Sequence, residues 1–109
     1  MALQHASPGQ AIDIQPAATE AGDARTVALF KSRDLEVMRL VLPAGKGLPP
    51  HKVAREITIQ CVSGALAVTT PAGRHELQAG QLLYLDREAM HNVLALQDAV
   101  ALVTVALPG

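Results

Sequence analysis

The chain has 109 residues, half of them hydrophobic and 17% charged. That composition suits one packed domain and excludes wholesale disorder or a second core. Net charge is −1 and the only aromatic residues are Phe30 and Tyr84, so there is neither a basic surface for phosphates nor a stacking platform for bases.

The start, "MALQHASPGQ", lacks the basic and apolar runs of a signal peptide, and no apolar stretch approaches the ~18 residues of a membrane span. The single cysteine, Cys61, has no internal disulfide partner. The expectation is a soluble cytoplasmic protein that contacts neither nucleic acid nor membrane.

Residues 1–10, with Ser7, Pro8 and Gly9, read as a loose segment ahead of one domain over 11–109. The alanine-rich stretch 17–24 is the one weak candidate for a helix. "RTVALFK" (25–31) and "LEVMRLVL" (35–42) have strand character and are separated by the turn signal "SRD". Lys31 and Arg33, the best basic pair, are offset by Asp34 and Glu36 and read as a solvated face. After "PAGKG" at 43–47 comes "ITIQCV" (57–62), with Ile57, Ile59 and Cys61 on one face and Thr58, Gln60 and Val62 on the other. "SG" at 63–64 leads straight into "ALAVTT" (65–70), which predicts a tight hairpin with Gly64 at positive φ. "QLLYL" (81–85), "NVLAL" (92–96) and "VALVTVAL" (100–107) complete the set. Short strands at regular spacing without helices predict an all-β sandwich or small barrel.

Four histidines carry the chemical interest. His5 lies in the loose segment, and His75, in "GRHELQ" after a turn, is expected to face solvent. His51 and His91 each follow a short loop at the edge of a strand. Taken alone, each would bond a backbone carbonyl and fix its loop.

Two stretches change that reading. "GKGLPPHKVAREITIQCVSG" resembles the first motif of the cupins, with Gly45 or Gly47 opening, His51 as first histidine and Gly64 closing. "GQLLYLDREAMHNVLA" is similar to the second motif, from Gly80 to His91, and "ALAVTTPAGRHELQA" to the short hairpin between motifs in small bacterial cupins. The resemblance spans residues 35–107 and implies a cupin double-stranded β-helix, or jelly-roll barrel. It also implies that one divalent metal (iron, nickel, manganese or zinc) is held by two histidines and a glutamate of motif one with the histidine of motif two. Position by position, His51 and His91 survive, but Val53 replaces the second histidine and Ile57 the glutamate. Glu56 stands one residue off, and such a slip turns a strand side chain to the opposite face unless a bulge intervenes.

Two functions follow. In the first, the protein binds a small molecule in an apolar pocket lined by Val53, Ile57, Ile59, Cys61 and Tyr84. His51 and His91 are then polar groups at the mouth, with at most a weak metal site. In the second it is a metal-dependent enzyme, an oxygenase or isomerase, with His51 and His91 as ligands and Glu56, Cys61 or water completing the shell. Catalysis without metal would use one of the rings as a general base, and Arg55 is a candidate anchor for an anionic ligand. The resemblance also implies a homodimer, and Leu29, Phe30, Leu40 and Leu42 exceed what one small barrel interior is expected to absorb.

Overall fold

The structure, a computed structural model, describes residues 5–16 and 24–108. The described residues form nine strands: β1 (Arg25–Lys31), β2 (Leu35–Leu42), β3 (Gly47–His51), β4 (Ile57–Ser63), β5 (Ala65–Thr70), β6 (Gly73–Gln78), β7 (Leu82–Leu85), β8 (His91–Ala95) and β9 (Ala99–Ala106). They make a five-stranded sheet, β1-β2-β9-β4-β7, facing a four-stranded one, β3-β8-β5-β6, and every strand pairing is antiparallel. This is a jelly-roll. The predicted helix at 17–24 lies outside the described residues apart from Ala24. No helix among the described residues is long and apolar enough to cross a membrane.

Alternation builds the core. Leu40 and Leu42 of β2, Ile57, Ile59 and Cys61 of β4, and Ala99, Ala101, Val103 and Val105 of β9 point from the larger sheet toward Leu66, Val68, Leu77, Val93 and Ala95 of the smaller. Leu29, Leu40 and Leu42 are each 2% exposed. They are covered by their own chain, so the inference of a partner from these residues is corrected. Phe30 is half-buried.

The hairpin expected at 63–64 is also corrected. Gly64 has φ +78°, as the turn signal required, but β4 and β5 belong to different sheets. The glycine is a one-residue corner between them, reinforced by a bulge between Cys61 and Ser63. A Cβ here would stand 2.1 Å from the Asp98 carbonyl oxygen, so the corner is also a close backbone crossing.

Periodicity marks neither β3 nor β6. β3 contains Pro49 and Pro50 and lies at the edge of the four-stranded sheet, where a residue without an N–H is tolerated. β6, at the opposite edge, buries only Leu77 among Arg74, His75, Glu76 and Gln78.

Candidate functional site

His51 ends β3 and His91 begins β8, and the two are direct partners in the β3–β8 pairing. Their ring centroids stand 4.4 Å apart with the planes tilted by 56°. His91 is 3% exposed, whereas His51 reaches solvent. Each ring is fixed by the same local device, a bond to the carbonyl two residues earlier. His51 Nδ1 lies 3.0 Å from the Pro49 oxygen and His91 Nδ1 lies 2.9 Å from the Ala89 oxygen. A carbonyl only accepts, so in both rings Nδ1 donates, and the neutral ring presents an Nε2 lone pair. Neither Nε2 has a hydrogen-bond partner among the described residues.

Below the rings is a cavity of about 150 Å³. Val53, Ile57 and Ile59 line it, joined by Met38, Leu48, Val93 and others from β2, β3, β8 and β9; among the described residues Thr26 is the only polar side chain in the wall besides the histidines. Loops 52–56 and 86–90 flank this end of the barrel and are tied by one backbone bond, Glu88 N–H to Val53 C=O, at 2.9 Å. Glu88 holds φ +60°.

Two residues assigned to the pocket stand elsewhere. Tyr84 faces outward on β7, 56% exposed, and its hydroxyl donates to Glu56 Oε2. Glu56 is therefore turned away from the histidines, and no bulge carries it inward. Cys61 shares the inward face of β4 and is fully buried, yet it lies beyond the cavity, its thiol directed at the Ser63 and Gly64 carbonyls. Burial pushes its pKa up, which keeps it a thiol. His75, half-buried on β6, has Nε2 3.4 Å from Thr70 Oγ1 and belongs to the β5–β6 turn rather than to the site. The cavity residues that went unread, Thr26, Met38, Leu48 and Val93 among them, lie on inward faces whose meeting point only the topology reveals.

No family model and no curated protein matches the chain. Solved structures do. A conserved protein of unknown function from Streptococcus pyogenes superposes with TM-score 0.80 at 16% identity, covering 100% of this chain and 96% of that one. A cupin superfamily protein from Desulfitobacterium hafniense also gives TM-score 0.80, at 13% identity over 99% of this chain and 100% of its own. An RmlC-like cupin family protein with a double-stranded β-helix fold, from Methanocaldococcus jannaschii, gives 0.74 at 16% identity, covering 90% and 93%. The chain has the cupin fold.

A cupin site of the metal-binding kind needs three or four protein ligands converging on one point. This cupin barrel supplies two. Their Nδ1 bonds to backbone carbonyls hold the rings as such bonds hold metal-ligating histidines. At the remaining positions, however, Val53 and Ile57 put hydrocarbon into the cavity. Among the described residues no group of three or more His, Cys, Asp or Glu side chains is placed to hold a metal ion. The residues present do not fit a resident metal.

Proposed function

We propose that this cupin-fold protein binds a small, largely apolar molecule inside its barrel, with His51 and His91 as the polar contacts and no metal ion. The observation that carries this reading is the cavity of about 150 Å³, walled by hydrocarbon and topped by two imidazoles whose Nε2 atoms have no partner among the described residues. A concave apolar site with a few convergent polar groups is the usual form of a small-molecule pocket. A cavity of about this volume in another protein admits benzene.

The test is a titration of the full chain with benzene, followed through methyl resonances. Ile57, Ile59 and Val93 should shift, while Leu66 and Leu42, deeper in the barrel, should not. If those methyls stay still, the reading fails. It is equally overturned if about one iron, nickel, manganese or zinc per chain copurifies and is lost in His51→Ala. A homodimer is part of the same proposal. Its support is the exposure of Leu82 (57%) and Tyr84 (56%) on the short edge strand β7, and a monomer by light scattering at micromolar concentration would reject it.

A further inference from the structure

We infer that the barrel's ligand is a neutral hydroxyl compound, an alcohol or phenol of about six to eight non-hydrogen atoms, whose O–H donates to the Nε2 atom of one of the two rings, His91 or His51. This rests on the barrel-binding reading above and adds to it the sign and kind of the polar contact. The Pro49 and Ala89 carbonyls each capture an Nδ1–H, so neither neutral ring has a hydrogen left to offer toward the cavity. Both rings are acceptors. The rings stand with centroids 4.4 Å apart, and both line the hydrocarbon-walled cavity. The complement of two adjacent neutral acceptors is a donor.

The other ligand classes meet an obstacle in the lining. A carboxylate entering the cavity would leave water and find no cationic side chain there, since no lysine or arginine lines it. Lys52, Arg55 and Arg87 lie on the flanking loops, outside the cavity wall. A molecule with no polar group fills the volume but gives the His91 lone pair no partner, and an acceptor on a side chain only 3% exposed loses free energy when left without one. A hydroxyl replaces the water that would otherwise serve that nitrogen, and its carbon body occupies the apolar space.

The experiment compares phenol, benzene and benzoate on the wild-type full chain in mildly alkaline buffer, each titrated against the Ile57, Ile59 and Val93 methyls. Phenol is expected to bind about tenfold more tightly than benzene, as one net hydrogen bond would give, with benzoate weakest. In the double variant His51→Ala/His91→Ala the phenol-to-benzene ratio should fall toward one, with the fold checked by circular dichroism. Equal affinities for phenol and benzene in the wild type would overturn the donor inference and leave the barrel-binding reading standing. Benzoate binding more tightly than phenol would overturn it too. If none of the three moves those methyls, both fail together.

Discussion

Cut across its strands, the barrel has two unlike halves. Toward the Gly64 corner, Leu42, Cys61, Leu66, Ala95 and Ala101 are each at most 2% exposed, and the alanines leave room for the leucines to interdigitate. That end is stitched by Ala44 N–H to Asp98 Oδ1, Gly45 N–H to Ala95 C=O and Leu96 N–H to Ala65 C=O, each 2.9 Å. Toward the histidines the same strands wall a cavity, and the flanking loops share the single bond between Glu88 and Val53. One end of the barrel is spent on stability and the other on space. A fold this small can keep a hollow because the filled half holds the sheets together.

The contrast is sharpest under truncation. Leu66 is fully buried in the filled half, so Leu66→Ala should cost about 2–5 kcal/mol through lost transfer energy plus a new void. Val53→Ala, which only enlarges an existing cavity from a half-buried position, should cost about 1 kcal/mol or less. Urea midpoints at constant m-value measure both. Similar losses at the two sites would erase the distinction between the halves.

Glycines sharpen it further. Gly45 (φ +84°) and Gly64 (φ +78°) share a left-handed backbone, but a Cβ on Gly45 meets open space while one on Gly64 meets the Asp98 carbonyl oxygen. Gly45→Ala should cost about 1–2 kcal/mol, the penalty of the conformation alone. Gly64→Ala should exceed that, because backbone must also move at the corner between sheets. Thermal denaturation of the two variants is the check.

Much of this was legible in the sequence, and the gaps have physical causes. β1, β2 and β5 fall on the segments that alternation marked, because each has β-branched or aliphatic residues on an inward face. β3 hid behind Pro49 and Pro50, and β6 behind a polar run, since edge strands need only one buried row. The alternation of "ITIQCV" placed Ile57 and Ile59 on the inner face, where they line the cavity. Cys61, two residues on and about 7 Å further along the strand, passes out of the hollow half and into the filled one. Tyr84 differs from the expected pocket position for another reason. "LLYL" is apolar at every position, so periodicity cannot say which pair faces in; Leu85 does, and Leu82 and Tyr84 face out. The histidines could be read off as a pair, but their tautomer could not, since it depends on two carbonyls whose placement is a matter of loop geometry.

A smaller effect belongs to the hollow end. Glu88 is the one non-glycine residue at positive φ among those described, and its N–H makes the bond that joins the two loops beside the histidines. Glu88→Gly keeps the N–H and relieves the left-handed backbone, partly offset by the greater freedom of glycine when unfolded. It should stabilise the fold by up to about 1 kcal/mol. A destabilised variant would mean that the Glu88 side chain itself holds the loop.

The smallest effect is read at Tyr84, the only tyrosine, in a chain without tryptophan, so tyrosinate absorbance reports this one group. Its hydroxyl donates to Glu56, which stabilises the protonated phenol, and burial with the charges of Glu56 and Asp86 pushes the same way against Arg87. The folded pKa is therefore raised above the ordinary value of about 10. For a group raised in this sense, the stabilising contribution is complete below the unfolded pKa and is lost as pH climbs through the folded one. Glu56→Ala should move the titration back down toward about 10 and remove that alkaline loss, without weakening phenol binding in the barrel, because the Tyr84–Glu56 pair sits on the outer surface. If the same substitution weakened phenol binding as much as removal of both histidines does, Glu56 would have to reach the cavity after all, and the division between inner site and outer pair would be lost.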